Sequence, residues 1–364
     1  KKTLILAIIT AAEHIGLEPA LMAPTGRAAK RLAISSGRDA DTIHKALEAS
    51  VRETGRTYFE RNEANPLEED LIIVDEASML DISLFYHLLC ALKDGARLIL
   101  VGDIDQLPPV GAGEPLKDLM SWGYVPIVRL KRIFRQEEGS GIVENAALIR
   151  KGEMCVPDEA GEFRIVYAAD DEDAYRIVMD LCRELNYGNE ENKMLLQVLS
   201  PMYRGVCGVD HLNESLQEMI HGEKVPDGMK FFPGDKVMQT RNDYEKGIYN
   251  GDVGTVWTAT PQKVFVRYFD KEVVYEGEER FDLRLAYAVT VHKSQGSEYE
   301  TVIFILRPSQ HNMLQRNLLY TGVTRARKNT ILVTAPDALR RALAIQHTGN
   351  RYSLFLPFLN HEAL

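Results

Sequence analysis

Two acidic side chains follow a continuous apolar run in the segment LIIVDEASML, residues 71–80. Asp75 and Glu76 stand directly after the run. A carboxylate in such a place can hold Mg²⁺ together with substrate phosphates, and its neighbour can orient or deprotonate an attacking water. The competing interpretation is a strand-end acid that caps the next helix. From these residues alone, the two interpretations are evenly balanced.

A second apolar run, in LILVGDIDQLPPV (98–110), ends in a similar way with Asp103, Asp105 and Gln106. Gln106 carries a neutral amide, which can contact a phosphate oxygen or a water without adding charge. Taken alone, the segment is equally typical of a turn stiffened by its two prolines.

Basic side chains recur further along the chain. The segment RIFRQ contains Arg132 and Arg135, and NLLYTGVTRARK contains Arg325 and Arg327. Arginine can neutralise the charge that develops on a transferring phosphoryl group. A single arginine of this kind is more often part of a surface salt bridge.

Candidate phosphate or strand contacts lie in two more segments. In APTGRAAKR a turn at 24–26 precedes Arg27, and helix N-termini attract phosphates. In TVHKSQGSEYETV several polar side chains stand on a strand-to-loop transition; they are Thr290, His292, Lys293, Gln295, Gly296 and Glu298. An isolated histidine such as His292 is more often a hydrogen-bonded loop residue than a catalyst.

Parallel strands would place these groups together. From residue 4 to 130 the pattern alternates between helix and strand, and the runs 71–74 and 98–101 are apolar throughout. Strands of that kind are buried on both faces, as in a parallel sheet that helices cover. Ligands of open α/β sheets bind beyond the carboxyl ends of the strands. We therefore predict a doubly wound α/β domain with the acids at its carboxyl edge.

The pattern is interrupted twice. A charged stretch at 48–68 contains a possible hairpin near 53–56, and 233–283 contains short alternating strands that predict a small inserted β-barrel. A second α/β pattern begins near Phe163 and returns after the insert. The predicted domains are 1–150, with 48–68 as an excursion; 151–232 together with 284–364; and 233–283.

The composition excludes some classes of protein. The chain has 364 residues, a net charge of -10 and 45% hydrophobic residues, an ordinary globular balance. The acidic charge argues against coating nucleic acid by bulk charge, although a local basic groove stays compatible with it. The four cysteines form no CxxC pair, which argues against structural zinc and predicts free thiols in a reducing cytoplasm. We expect neither a targeting segment nor a membrane helix.

The ordered set of segments resembles the superfamily 1 DNA helicases, in particular their RecD-like 5′-to-3′ branch, over nearly the whole chain. The matching segments are APTGRAAKRL, TIHKAL, IIVDEASML, VGDIDQLPPVGAG, LKRIFRQ, YAVTVHKSQGSEY and LLYTGVTRARK. LSPMYRGVCGVDHLN and YNGDVGTV are also similar to RecD-like segments. Each motif alone is weak to moderate, whereas the ordered set is specific.

The resemblance implies two RecA-like P-loop NTPase domains, with a pin-like excursion in the first and an SH3-like insert in the second. It implies that Asp75 holds Mg²⁺, that Glu76 activates water, and that Gln106 senses the γ-phosphate of ATP. Arg135 and Arg325 would reach that phosphate from two domains, and Gly296 and Glu298 would couple the nucleotide to the strand. The implied DNA contacts are Pro24, Thr25, Gly26, Arg27, His44, Tyr203, Arg204, Asn250, Thr290, His292, Lys293 and Ser294.

One departure concerns the phosphate loop. The family opens with G-x-x-x-x-G-K-[ST], and this chain begins with KKTLIL where that motif should be ending. Lys1, Lys2 and Thr3 are the candidates for its last positions, in a register that the residues leave open. We favour the interpretation that the sequence starts inside a longer chain; the alternative is a protein that cannot hold a triphosphate.

The expected function is therefore ATP-driven translocation on single-stranded DNA, with unwinding at junctions between single and double strands, in DNA repair or recombination. The protein is expected to be cytoplasmic and monomeric, with partner subunits left open. Two alternatives remain: a nucleic-acid-binding subunit whose ATPase is silent, and a P-loop ATPase that does not act on DNA.

Overall fold

The structure, a computed structural model, describes residues 2–51, 57–130, 139–226, 228–243, 245–269, 271–346 and 355–360. These residues form two compact units. The first contains the described residues up to 130 together with 355–360, and the second contains 139–346.

The first unit is an α/β layer structure around four parallel strands, in the order β2-β1-β5-β6. Its elements in chain order are α1 (Lys2–His14), β1 (Pro19–Ala23), α2 (Gly26–Ser36), β2 (Asp41–Thr42), α3 (Ile43–Ala46), β3 (Ala49–Val51), β4 (Thr57–Phe59), β5 (Leu71–Val74), α4 (Ile82–Cys90), β6 (Arg97–Leu100) and α5 (Pro115–Trp122).

The apolar run of β5 is buried because the sheet is covered on both faces. Ile72 and Val74 belong to one hydrophobic cluster, with α4, and Leu71 and Ile73 belong to another, with α1. Successive residues of a strand point to opposite faces, so a strand covered twice needs apolar residues at every position. This confirms the prediction of a doubly wound parallel sheet.

The excursion contains a hairpin. β3 and β4 pair antiparallel, with Ser50 opposite Tyr58. The tip predicted at 53–56 lies outside the described residues. Phe59 anchors the returning strand, because its side chain is buried in the same cluster as Ile72.

The second unit is built on five parallel strands in the order β14-β8-β15-β16-β7. Its elements outside the insert are α6 (Gly141–Lys151), β7 (Phe163–Tyr167), α7 (Asp171–Glu184), α8 (Glu190–Leu195), β8 (Leu196–Ser200), α9 (Val209–His221), β14 (Ala288–Thr290), β15 (Tyr299–Leu306), α10 (Arg316–Val323), β16 (Ala326–Thr334) and α11 (Pro336–Ala344).

The insert is a separate antiparallel sheet in the order β12-β11-β10-β9-β13, with its own apolar core. Its strands are β9 (Lys236–Gln239), β10 (Val253–Ala259), β11 (Lys263–Arg267), β12 (Glu272–Glu276) and β13 (Leu283–Leu285). They lie within a residue or two of the 233–283 segment that the alternating pattern predicts.

A buried polar junction connects the insert to the parallel sheet. The ammonium of Lys236, on β9, donates to the Leu196 carbonyl and to Gln197 Oε1, each at 3.0 Å. The Gln197 amide in turn donates to the carbonyls of Ala286 and Tyr287, at 3.1 and 2.8 Å. Lys236 is 1% exposed and Gln197 0%. These side chains therefore fasten β9 to β8 and to the link between β13 and β14.

The domain boundaries differ from those predicted at 150 and 364. Helix α6 lies in the second unit, where the Asn145 amide donates to the Val156 carbonyl at 2.7 Å. The helix Phe355–Leu359 lies in the first unit, where the ring of Phe355 meets that of Phe85 edge-on at 5.9 Å. An amphipathic helix such as α6 presents the same pattern to either unit, so its sequence alone does not assign it.

The described residues bear on two further expectations, which concern membrane helices and disulfide bonds. No helix among the described residues is long and apolar enough to cross a bilayer. The four cysteines are free thiols, and burial raises the pKa of Cys155, Cys182 and Cys207 to about 12.

Candidate functional site

The two acids lie at the carboxyl end of β5. The Asp75 amide donates to the Met22 carbonyl of β1, and the Ala77 amide donates to the Val101 carbonyl after β6, each at 2.9 Å. The backbone on both sides of the acids is thus held by the neighbouring strands. The Asp75 carboxylate accepts the Glu76 amide at 2.9 Å, which closes a tight local turn.

Glu76 carries two unfavourable features at once. Its backbone is left-handed, with φ 52° and ψ 36°, a region that favours glycine. Its side chain is 9% exposed, and Oε2 has no hydrogen-bond partner among the described residues. A buried polar atom without a partner costs about 1–3 kcal/mol. A residue that accumulates such costs is a good candidate for a functional role.

The loop after β6 packs against these acids. A Cβ on Gly102 would lie only 2.9 Å from the Ser78 amide nitrogen, so the close approach requires glycine. Gln106 is 6% exposed, and its amide donates to Asp103 at 3.4 Å. Gln106 and Ser78 line the same small pocket. The first unit therefore brings Asp75, Glu76 and Gln106 to one sheet edge, as the parallel topology predicts.

The carboxylates at the end of β5 fit a Mg²⁺ ion whose other ligands come mainly from a bound substrate. No cluster of three or more His, Cys, Asp or Glu side chains is positioned to hold a metal within the described ranges. Mg²⁺ is usually bound by one or two protein carboxylates plus phosphates and waters, which a single strand-end aspartate can satisfy. Asp75 could hold the ion, and the unsatisfied oxygen of Glu76 could accept a hydrogen bond from water.

The residues of the first unit that are predicted to contact DNA follow the ends of β1 and β2. Thr25 caps α2, since its hydroxyl accepts the Ala28 amide at 3.3 Å, and Gly26 is buried beside it, while Pro24 and Arg27 are half-buried. The half-buried His44 ring lies 6.0 Å from that of Phe59. Burial lowers the pKa of His44, and the Asp81 carboxylate opposes the shift.

The predicted phosphate-loop residues Lys2 and Thr3 stand at the start of the first helix. Lys1 lies outside the described residues, α1 begins at Lys2, and Thr3 is exposed in its first turn. Arg135 also lies outside them, in the gap 131–138. The roles of these residues stay predictions.

Arg325 is held inside the second unit. Its side chain is 2% exposed, and its guanidinium donates to the carbonyls of Thr321 and Ser297 at 3.0 and 3.1 Å. Nearby, Gly296 has a φ of 72°, and Glu298 accepts both Nε and Nη2 of Arg327, at 2.9 and 2.8 Å. Arg325 and Glu298 thus have local partners, and a contact with nucleotide stays a prediction.

The residues after β14 that are predicted to contact DNA fall into two groups. The Thr290 hydroxyl accepts the Lys293 amide at 3.2 Å, and the fully buried Ser294 donates its hydroxyl to the Val291 carbonyl at 2.7 Å. These two side chains stabilise the turn, so the structure gives Ser294 no surface for a strand. His292 and Lys293 are half-buried, and burial lowers the pKa of both.

Lys293 reaches the insert. Its ammonium donates to Asn250 Oδ1 at 2.6 Å. This bond joins two residues that are predicted to contact DNA and lie 43 positions apart in the sequence. Tyr203 and Arg204 are exposed in the loop after β8, where the Tyr203 carbonyl accepts the Asp210 amide at 3.0 Å.

The carboxyl edge of the second sheet is closed by its own side chains. Arg307, which follows β15 and is 2% exposed, donates to Asp171 at 3.2 Å and to the Ala168 carbonyl at 2.9 Å. Ser200, the last residue of β8, donates to the Cys207 carbonyl at 2.6 Å and accepts the Gln310 amide at 3.3 Å. The polar groups at the ends of β8 and β15 are thus bonded to other protein groups.

Two residues of the first edge are not among the predicted site residues. Asp81 caps α4 by accepting the Leu84 amide at 2.8 Å, and a Cβ on Gly111 would lie 2.7 Å from the Asp81 Cβ. Ser78 is 9% exposed, and its hydroxyl has no hydrogen-bond partner in the described part of the chain. The aspartate before ISLF is a recognisable helix N-cap, whereas no local signal marks Ser78.

Three family models match parts of the chain. They are described as an AAA domain at residues 1–112, an ATP-dependent RecD-like DNA helicase SH3 domain at 212–268, and a UvrD-like helicase C-terminal domain at 285–333. The SH3 match overlaps the insert, which agrees with the predicted barrel.

Curated relatives align over nearly the whole chain. The ATP-dependent RecD2 DNA helicase of Deinococcus radiodurans is 38% identical over 358 residues, covering 97% of this chain and 48% of that protein. The RecBCD enzyme subunit RecD of Mycolicibacterium smegmatis is 32% identical, covering 92% of this chain and 66% of that protein. The chain thus spans between about half and two-thirds of the length of these two relatives.

Solved structures share the fold. A Pif1 helicase from Bacteroides, in complex with ADP-AlF3 and ssDNA, superposes with a TM-score of 0.59 at 20% identity, covering 99% of this chain and 90% of that one. The Pif1 helicase from Candida albicans gives a TM-score of 0.56 at 19% identity, covering 96% and 91%.

Proposed function

Because this chain is RecD-like, homologous to RecD2 and RecD helicases over nearly its whole length, we propose that it forms the motor of an ATP-dependent helicase. The motor moves 5′ to 3′ on single-stranded DNA and unwinds duplex at junctions. Its direction, its role in DNA repair or recombination and its monomeric state rest on the resemblance to RecD-like proteins.

The carboxyl edge of the first sheet is the observation that carries the proposal. Asp75 and Glu76 follow β5, Gln106 lies in the loop after the neighbouring β6, and Glu76 holds a buried oxygen that lacks a partner among the described residues. A subunit without ATPase activity would have no need to keep a buried carboxylate oxygen without a hydrogen-bond partner, whereas an ATP hydrolase can use it to bind the attacking water. This favours the helicase over the nucleic-acid-binding alternative.

In the proposed mechanism each residue has one task. Asp75 would hold Mg²⁺, which would supply charge neutralisation at the phosphates. Glu76 orients and deprotonates the attacking water. Gln106 contacts the γ-phosphate, and Lys1, Lys2 or Thr3 belong to the phosphate loop. Arg135 and Arg325 neutralise charge on the transferring phosphoryl group, while Gly296 and Glu298 transmit the state of the nucleotide.

Strand contacts are proposed in both units. Pro24, Thr25, Gly26, Arg27 and His44 contact DNA in the first. The contacts in the second are Tyr203, Arg204, Asn250, Thr290, His292 and Lys293, with Ser294 acting through the turn that it stabilises. Contacts to phosphates and stacked bases make binding largely independent of sequence and sensitive to salt.

The test is ATP turnover by the intact protein, with and without an oligonucleotide of single-stranded DNA. We expect turnover that DNA stimulates, and unwinding of a duplex with a 5′ overhang but not of one with a 3′ overhang. Asp75→Asn should abolish turnover, whereas Asp180→Asn, at an exposed position of α7, should not. Turnover that ignores DNA would support the P-loop ATPase alternative and contradict the proposal.

A further inference from the structure

A cluster of cationic side chains surrounds β13, and three of its members, Lys230, Arg280 and Arg284, lie outside every helicase-like motif. Arg284 is the exposed central residue of this short strand, between the buried Leu283 and the half-buried Leu285. Lys230 donates to the Leu283 carbonyl at 2.6 Å, which holds a second cation against the same strand. Arg280 precedes the strand in the helical turn Gly277–Asp282.

The charges of this cluster act on one another. Burial lowers the pKa of Lys293, and the Arg284 guanidinium lowers it further. Burial also lowers the pKa of Lys230, with Arg284 and then Arg280 adding to the shift. Lys230 and Arg284 are held at the same strand, and crowded like charges attract an anion more strongly than a single charge does.

The acidic partner of Arg284 is weak. Its guanidinium lies 3.8 Å from Asp210, and the two side chains are 61% and 53% exposed. Exposed ion pairs contribute about 0–1 kcal/mol. A phosphate oxygen could therefore displace the Asp210 carboxylate at little cost.

The cluster lies close to residues of the second unit that are predicted to contact DNA. Asp210 follows the loop of Tyr203 and donates its amide to the Tyr203 carbonyl. Lys293 bonds to Asn250 of the insert. Arg284 lies 3.8 Å from Asp210 beside the Tyr203 loop, and its charge adds to the lowering of the pKa of Lys293.

We propose that Arg284 is a further contact to the DNA backbone, and that Asp210 holds its guanidinium until a phosphate displaces the carboxylate. The inference rests on the proposed function, because it adds a residue to the same strand-binding surface. It also places a phosphate contact on β13, which pairs with β9 of the insert and leads into β14.

The experiment measures the affinity of the intact protein for a fluorescent oligo-dT at several salt concentrations. Arg284→Ala should weaken binding about 5- to 10-fold and lower the slope of log affinity against log salt by about 0.7. Asp210→Asn should strengthen binding by about twofold. Arg183→Ala is the matched control, since Arg183 is 59% exposed, pairs with Asp180 on α7 and changes the net charge equally.

The outcomes separate this inference from the proposed function. If Lys293→Ala weakens binding while Arg284→Ala keeps the affinity and salt slope of the control, the role of Arg284 is overturned and the helicase proposal stands. If the wild-type protein shows no salt-dependent binding of oligo-dT, both are overturned. An unchanged salt slope with a lowered melting temperature would assign Arg284 a purely structural role, against the inference.

Discussion

The carboxyl edges of the two parallel sheets have the same topology and opposite chemistry. At the first edge Glu76 has a left-handed backbone and a buried oxygen without a partner among the described residues. At the second, Arg307 and Ser200 are buried and hydrogen-bonded to neighbouring protein groups. Open α/β sheets bind ligands at this edge, and the comparison teaches that the end of β5 leaves a buried polar group unsatisfied where the ends of β8 and β15 do not.

The largest effect is expected at Glu76. Glu76→Gln should reduce ATP turnover of the intact protein by at least about 100-fold, because it removes the proposed general base. Its thermal stability should be unchanged or slightly higher, since a buried carboxylate oxygen without a partner is lost. Turnover assays and thermal unfolding measure the two effects.

The control for this variant is Glu218→Gln, at an exposed position of α9. It should leave both turnover and melting temperature unchanged. Wild-type turnover in Glu76→Gln would defeat the assignment of the base, and a large fall in its melting temperature would show that the first edge is as well satisfied as the second.

Arg307 should behave in the opposite way. Arg307→Ala leaves Asp171 and the Ala168 carbonyl without their partner, which should cost about 3 kcal/mol of unfolding free energy. Denaturant unfolding measures this, with Arg183→Ala as the surface control that should change stability by less than about 0.5 kcal/mol. Equal stability of the two variants would mean that the second edge is not held by its buried arginine.

Two serines allow a finer comparison. Ser200→Ala should destabilise the protein by about 1–2 kcal/mol, because its buried hydroxyl both donates and accepts. Ser78→Ala should be neutral or slightly stabilising, since the hydroxyl of Ser78 lacks a partner among the residues that the structure describes. The reverse order in denaturant midpoints would contradict the distinction between the edges.

The smallest effect concerns two histidines, one from each unit. Burial lowers the pKa of His44 and of His292 from the ordinary value of 6.5, and only His44 has an acid, Asp81, that opposes the shift. A lowered pKa stabilises the fold above the unfolded value, and this stability is lost as pH falls through the folded value. Acid destabilisation should therefore decrease in both His292→Gln and His44→Gln.

The decrease should be greater for His292→Gln, because no carboxylate offsets the burial of His292. Denaturant midpoints at pH 7.5 and pH 5 test the order. A larger effect at His44 would mean that Asp81 does not influence it.

The sequence predicts the sheets well, because their signal is local. The all-apolar runs of β5 and β6 indicate strands covered on both faces, and parallel order then places Asp75 and Gln106 at one edge. The strands of the insert lie within a residue or two of the predicted segment 233–283.

What the sequence does not predict depends on contacts between distant residues. The helix α6 belongs to the second unit because it packs against α10, β16 and β7, contacts that no periodicity reveals. Ser294 lies in a motif-like segment, yet the tight turn after β14 buries it. Arg284 gains its surroundings from residues 210, 230 and 293, so only the folded chain brings them together.

The buried junction of Lys236 and Gln197 has a consequence for engineering. A barrel from another protein could not simply be grafted between α9 and β14, since it would lack the ammonium that satisfies the Leu196 carbonyl and Gln197 Oε1. A chimera would have to carry its own buried cation, or a compensating change at Gln197, to keep the host strand β8 in register. The insert can thus be exchanged only together with the residues of β8 that contact Lys236.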